Sequence, residues 1–377
     1  MAAVDPKAIL AGRSRGRPSV GAILTIAVSS ACLLVALGIM ALEGPTFVVG
    51  LLLALLPLPL LLAGVLALDR LEPEPPDALV AAFLWGAGVA ALLAMIINTL
   101  GLTLIWVPLL GEAEGFYFTA TVIAPVVEET LKGTVLFGML WFRRHELNGP
   151  TDGIIYAGMV GLGFATVENI SYYAATAQTG TLAGTFVMRG LLTPLLHPLC
   201  TALTGIGVAT AAMRRPGRGR VQPVVAGLAG AIALHALWNG ATAFGLAGTA
   251  FAYGIGLVVL VSLLEVVRRD RRRIVALGGQ YLPQYLSTGV VTPAEVAMLS
   301  TLQGRSRARA WARNAGGPGP ARAMRDYQQA ATELAMLHRR YERGLVDRAV
   351  FEQRRQPLLL LMHLARQVAL GARGVGR

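Results

Sequence analysis

Charge is scarce in this chain of 377 residues. Asp, Glu, Lys and Arg together make up 14%, while 55% of the residues are hydrophobic. Soluble domains carry about 25% charged residues, so an ordinary water-soluble globule is excluded. Cysteine is nearly absent: Cys32 and Cys200 both lie in apolar stretches, and neither a disulfide framework nor a Cys-x-x-Cys metal motif is available. No His-Glu-x-x-His run occurs, since His145 is followed by Glu146-Leu147-Asn148-Gly149. No aspartate sits inside an apolar stretch, which excludes an intramembrane aspartyl pair, and no Gly-x-Ser-Gly nucleophile is present. Solenoid-type repeats are missing. No nucleic-acid recognition motif supports a nucleic-acid partner.

What the chain has is hydrophobicity in blocks of about 20 residues, the length that spans roughly 30 Å of hydrocarbon. Eight spans are expected, at about Val20–Leu42, Phe47–Leu68, Ala78–Leu100, Phe116–Phe142, Gly153–Ala177, Thr185–Met213, Val221–Phe244 and Thr249–Val267. Pro57 and Pro59 predict a kink or break in the second. The first is longer than a signal-peptide core and is read as retained. Basic residues precede the first span (Lys7, Arg13, Arg15, Arg17) and follow the second (Arg70), the fourth (Arg143, Arg144), the sixth (Arg214, Arg215, Arg218, Arg220) and the eighth (Arg268, Arg269, Arg271, Arg272, Arg273). The loops after spans one, three, five and seven carry none. The positive-inside rule then places both termini in the cytoplasm. The expected fold class is all-α: a polytopic transmembrane helix bundle of about eight spans, N-in and C-in, in the cell membrane, with a cytoplasmic helical tail.

Three regions follow: a basic arm over 1–19, the membrane bundle over 20–267, and an Arg-rich tail over 268–377. The tail holds 20 arginines, no lysine and 7 acidic residues, a net +13, whereas the net charge of the whole chain is +12. Such a tail is expected to be solvated beside anionic lipids at the cytoplasmic face. Thr292-Pro293-Ala294-Glu295 reads as a capped helix start, and Gly316-Gly317-Pro318-Gly319-Pro320 as a breaker. Ala321–Arg343 and Arg348–Leu370 then suggest a helical hairpin turning near Gly344.

Ionisable groups stand where a membrane should exclude them. Glu128 and Glu129 interrupt the fourth span, and a carboxylate at bilayer depth costs about 2.5–3.5 kcal/mol or more unless protonated, hydrated or paired. Glu168-Asn169 lies in the fifth span, His197 in the sixth, and His235 and Asn239 in the seventh. His235 and Asn239 are four apart and share a helix face, as do Glu128 and Lys132. Glu129 is turned about 100° from Glu128, so the pair cannot point one way. At 1.5 Å per residue, Glu128, Glu168, His197 and His235 reach roughly one depth, about 15–24 Å from their span ends. Alone, each histidine or asparagine would serve as interhelical glue. Together on four successive helices they describe a site.

Two chemistries suit it. Carboxylates and histidines can relay protons or ions in a transporter. Alternatively a carboxylate can act as general base on water for amide hydrolysis, and two His with a Glu can hold a catalytic zinc. An inactive scaffold binding partners through its tail is a third possibility.

The ordered set Asp69-Arg70-x-Glu72-Pro73-Glu74-Pro75, Glu128-Glu129-x-x-Lys132, Phe164-x-x-x-Glu168-Asn169, His197 and His235-x-x-x-Asn239 resembles the PrsW family of bacterial intramembrane proteases, related to type II CAAX-prenyl endopeptidases and bacteriocin-processing homologues. The likeness covers roughly residues 65–245. It implies an eight- or nine-helix bundle that cleaves membrane-protein substrates such as anti-sigma factors. It makes Glu128 and Glu129 the signature acidic pair, and His235 with Asn239 the motif associated with oxyanion stabilisation. The broader CAAX group has His where this chain has Glu168, so a histidine role does not transfer there. The expectation is an intramembrane endopeptidase in which Glu128 or Glu129 acts on water, Glu168, His197 and His235 bind Zn2+ or polarise water and carbonyl, and Asn239 assists.

Overall fold

The computed structural model describes residues 19–69, 71, 73–214 and 217–371. Lys7, Arg13, Arg15 and Arg17 of the basic arm, and Arg70, Glu72 and Arg215, lie outside the described residues, as does the Arg218 side chain. Among the described residues there is no strand. The chain folds as two compact units, Pro18–Val267 and a second built on Arg268–Arg377.

The first unit contains α1 (Val20–Ala41), α2 (Pro45–Leu55), α3 (Leu58–Leu68), α4 (Pro76–Trp85), α5 (Ala91–Gly101), α6 (Val107–Leu110), α7 (Glu112–Phe118), α8 (Ala124–Phe142), α9 (Pro150–Thr179), α10 (Leu182–Phe186), α11 (Leu196–Ala212) and α12 (Val221–Ala241). The helix α13 (Gly245–Tyr281) follows, then α14 (Pro293–Leu299), α15 (Leu302–Gly316), α16 (Pro318–Glu342) and α17 (Arg348–Gly371). Among the described residues, four π-turns interrupt the helices of the first unit, at Gly86–Ala90, Leu102–Trp106, Thr119–Ile123 and Val187–Leu192.

Among the described residues, six segments are long and apolar enough to cross a membrane by length and composition: Val20–Ala41, Pro45–Leu68, Pro76–Leu110, Pro150–Thr179, Leu182–Ala212 and Val221–Tyr285. The difference from eight has a physical origin. Expected span four contains Glu128, Glu129 and Lys132, which lower its apolarity. Expected spans seven and eight fall in one run of 65 residues. A helix of that length would reach about 98 Å, roughly three hydrocarbon thicknesses, and it turns at Gly245, whose φ of 62° suits glycine. The count of eight crossings and the N-in/C-in orientation belong to the sequence expectation.

Proline decides where the spans break. The second is cut between α2 and α3 at Leu56–Pro57. The sixth, expected to run through from Thr185, stops at the π-turn Val187–Leu192. It restarts as α11 after Thr193, Pro194 and Leu195, because Pro194 has no N–H to donate into the helical ladder. The helix α9 forms the centre of the unit: Tyr156, Ala157, Val160, Leu162, Ile170 and Tyr173 are buried along it. Glycine lets α11 approach it closely. A Cβ at Gly153 would sit 2.1 Å from Gly205 O, and one at Gly161 would sit 2.8 Å from His197 C. Contacts of this kind replace the hydrophobic drive that lipid cannot supply.

In the second unit, Thr292 and Glu295 form the expected capping box at α14. The helices α16 and α17 pair across Gly344, and Leu358, Leu361 and Met362 bury with Tyr327, Leu334 and Leu337. Arg305 is buried there. It donates from Nε to Leu299 O at 2.7 Å and from one terminal nitrogen to Thr332 Oγ1 at 2.7 Å, so it is structural.

Candidate active site

The helix α8 supplies the acidic pair. Three- and four-residue spacing puts Lys132 against both carboxylates: its Nζ lies 2.8 Å from Glu129 Oε1 and 3.3 Å from Glu128 Oε2. Lys132 and Glu129 are wholly buried, and the ammonium also stands 3.8 Å from the centre of the Phe164 ring. Trp85 Nε1 donates to Leu131 O at 3.0 Å and fixes α8 against α4.

The break before α11 places His197 in the first turn of that helix. Its Nδ1 is 2.9 Å from Lys132 Nζ and its Nε2 is 2.9 Å from Glu168 Oε2 on α9. The first-turn position also aims the positive end of the α11 dipole toward the carboxylates. Four residues on, Thr201 Oγ1 donates to Glu129 Oε2 at 2.9 Å. From α12, His235 Nδ1 meets Glu129 Oε1 at 3.1 Å, and its Nε2 lies 3.9 Å from Glu128 Oε2. The rings of His197 and His235 meet edge to face with centroids 5.1 Å apart.

The two glutamates are therefore unequal. Glu129 is saturated by Lys132, Thr201 and His235. Glu128 has two longer contacts, Lys132 at 3.3 Å and Asn98 Nδ2 at 3.4 Å. Of the pair, Glu128 has carboxylate capacity to spare.

Glu168 stands on the far side of His197 and is clamped by Arg189, which also donates from Nε to Asn169 Oδ1 at 2.7 Å. The Arg189 guanidinium lies 3.7 Å from the centre of the Tyr172 ring. Asn239 Nδ2 donates to Ala120 O at 2.8 Å, tying α12 to the π-turn ahead of α8. The structure thus brings Glu128, Glu129, Lys132, Glu168, His197 and His235 into one connected cluster, with Asn239 bonded to backbone beside it.

Three participants were not singled out from the sequence. Arg189 is a lone cation in an apolar span and meets the same energetic criterion that flagged the glutamates. Thr201 lies four residues after His197 and so shares its face. Asn98 is a lone amide in α5.

Glu128, His197 and His235 are buried and each offers one ligand atom, these atoms lying within 4.8 Å of one another. Two histidines and one carboxylate form a donor set that fits catalytic zinc, and an ion on His197 Nδ1 would take the place now held by Lys132 Nζ. The Glu129 carboxylate holds the other nitrogen of His235, the usual support of a ligating histidine. Three acidic side chains, Glu128, Glu129 and Glu168, thus face two basic ones, Lys132 and Arg189.

A protein-family model described as PrsW family intramembrane metalloprotease matches residues 74–266. The chain belongs to the PrsW family. It is 29% identical to Protease PrsW of Geobacillus kaustophilus (strain HTA426) over 141 residues, 36% of this chain and 55% of that protein. It is 33% identical to Protease PrsW of Clostridioides difficile (strain 630) over 121 residues, 32% of this chain and 49% of that protein. With Protease PrsW of Bacillus subtilis (strain 168) it shares 34% identity over 92 residues, 24% of this chain and 38% of that protein. The chain spans about half the length of the first two of these relatives and less of the third. No solved structure matches it. The PrsW match begins at Glu74 and ends at Val266, so it contains every residue of the cluster and leaves out the second unit.

Proposed function

We propose that the chain is an intramembrane endopeptidase of the cell membrane, acting on membrane proteins that contain a transmembrane segment, of the anti-sigma-factor kind. The observation that carries this is the inequality of the two glutamates: Glu129 is consumed in holding Lys132, Thr201 and His235, while Glu128 makes only the longer contacts with Lys132 and Asn98 in the cluster that holds both histidines. Glu128 takes the proton of the attacking water and returns it to the amide nitrogen as the C–N bond breaks. Glu129 and Thr201 hold the frame in which this happens. Glu168, fixed by Arg189, orients His197 through Nε2.

Glu128, His197 and His235 are the residues that would hold Zn2+, which when bound lowers the pKa of water and polarises a carbonyl. In this assignment Glu128 takes the ligand place that sequence reasoning gave to Glu168, and Glu168 supports His197. Asn239 keeps a second amide hydrogen beyond its bond to Ala120, and it serves the oxyanion. At the cytoplasmic face, α13 exposes Arg268, Arg269, Arg272 and Arg273 just past its apolar stretch, a surface for anionic headgroups.

Purified protein in liposomes with single-span candidate substrates tests the proposal. Wild type is expected to cleave, and Glu128→Gln and His235→Ala to lose at least about 100-fold in rate. Cleavage untouched by both changes refutes the site. Proton flux without cleavage would establish transport instead. Metal analysis of the same preparation decides the zinc assignment.

A further inference from the structure

Asn98 is a polar side chain beside Glu128 that neither the ion pairs nor the histidine contacts use. It projects from α5, whose other residues are apolar apart from Thr99, and this helix is framed by the π-turns Gly86–Ala90 and Leu102–Trp106. Such turns recur where a helix face is re-aimed at a functional site. The Asn98 amide donates from Nδ2 to Glu128 Oε1 at 3.4 Å, near the limit of a hydrogen bond. Its Oδ1 is buried and accepts no hydrogen bond from the described residues.

A side chain kept only to support Glu128 would need its donor alone. A buried acceptor left over in apolar surroundings is unfavourable. The unused Oδ1 belongs to the same amide group whose nitrogen faces Glu128 Oε1. A small group with two donors satisfies both at once, and buried water typically takes two to four such partners.

We propose that Asn98 positions the water that attacks the scissile carbonyl, an inference resting on the endopeptidase assignment. The water donates one hydrogen to Glu128 Oε1 and the other to Asn98 Oδ1, which turns a lone pair toward the substrate. On attack, the water oxygen bonds to the carbonyl carbon and the carbonyl π pair moves onto its oxygen. The hydrogen facing Glu128 transfers to that carboxylate. The hydrogen facing Asn98 stays on the new hydroxyl, because a neutral amide oxygen is not a base. Collapse then breaks the C–N bond, and Glu128 returns its proton to the leaving nitrogen.

Two measurements on the full chain test this. The first is an experimental wild-type structure that resolves waters. An ordered water within hydrogen-bond distance of both Asn98 Oδ1 and Glu128 Oε1 is expected. A protein donor on Oδ1, no water at that place, or an Asn98 turned away from Glu128 overturns the proposal. The second uses proteoliposomes and quenched-fluorescent probes, Leu/Ala spans of about 23 residues with a central Gly-Pro step. Asn98→Leu, similar in size, is expected to lower kcat by about 10- to 100-fold with KM within about twofold, the loss of one oriented hydrogen bond. A raised KM with kcat unchanged overturns the water role and makes Asn98 a substrate contact. A wild type that holds the water yet cleaves no probe refutes the endopeptidase assignment, and the attacking role with it, separately from the water's placement.

Discussion

Replacing Lys132 by methionine should be among the most damaging single changes in the membrane unit, although the new side chain is apolar and of similar length. The ammonium is shared by Glu129 at 2.8 Å and Glu128 at 3.3 Å, with no exposure to solvent. At an effective dielectric of about 20, those contacts are worth about 6 and about 5 kcal/mol of attraction before desolvation is counted. Desolvation offsets several kcal/mol per ion, so the net worth of the cluster is smaller. Removing one partner is another matter, because two carboxylates stay buried and uncompensated; the expected loss is about 3–5 kcal/mol. Lys132→Arg should not restore it, since a planar guanidinium does not fit a fully enclosed point-charge site. Glu129→Gln in the Lys132→Met background removes one stranded carboxylate. The double variant should therefore be more stable than the sum of the singles implies, by a coupling of at least about 1.5 kcal/mol. Reversible unfolding in mixed micelles, with wild type, both singles and the double, measures it. Additivity within about 0.5 kcal/mol would refute the shared-cation account.

Gly205→Ala should destabilise the bundle by about 1–3 kcal/mol, because its Cβ would fall 2.1 Å from Gly153 O and force α11 from α9. Gly138→Ala, with nothing within 4 Å of its Cβ, is the control and should be neutral or mildly stabilising in the same melting assay. Burial raises the Asp69 carboxyl to about 6, against a hydrogen bond from Glu74 N that acts to lower it. The folded chain then binds the proton more tightly than the unfolded chain between pH of about 4 and 6, so stability falls as pH rises through that window. Asp69→Asn should raise Tm at pH 7.5, by at most about 3 kcal/mol of stability, and leave it unchanged near pH 4; equal melting at both pH values would count against this. In the second unit, burial and Arg355 lower the pKa of His338, which meets Tyr285 Oη at 2.7 Å. Protonation therefore favours the unfolded form, and stability should fall as pH drops below about 6.5. Hydrogen-exchange protection factors over residues 330–355, taken relative to the intrinsic rate at each pH, should fall between pH 7.5 and 5.5, and His338→Gln should flatten that change.

Much of the site was legible because lipid is an unforgiving solvent. Every charge in an apolar span asks for a partner, and Glu128, Glu129, Glu168, His197 and His235 announced themselves on that ground. The four-residue step from Glu128 to Lys132 gave one ion pair outright. The 100° turn between the two glutamates showed that they must differ, but which faces water depended on Thr201 and His235, contributed by other helices. Arg189 escaped because a cation close to a span end passes for a boundary residue. Asn98 escaped because one amide in a long span is commonly interhelical glue. In the fold, Pro57 and Pro194 marked breaks, whereas π-turns have no sequence signature comparable to proline and were not foreseen.

Those π-turns bear on how the chain tolerates insertion and deletion. A π-turn is a helix carrying one residue more than its α-helical path requires. The turn at Thr119–Ile123 directly precedes α8, and its Ala120 carbonyl receives Asn239. Deleting one residue there would let α7 and α8 run as a single α-helix, rotating everything upstream by about 100° relative to Glu128. The four-residue spacing from Glu128 to Lys132 would survive intact in the sequence, yet the helix could no longer present Ala120 to α12. Length, as well as residue identity, is thus written into this part of the chain, and an alignment gap at Thr119–Ile123 would signal a re-aimed helix even where every motif residue is kept.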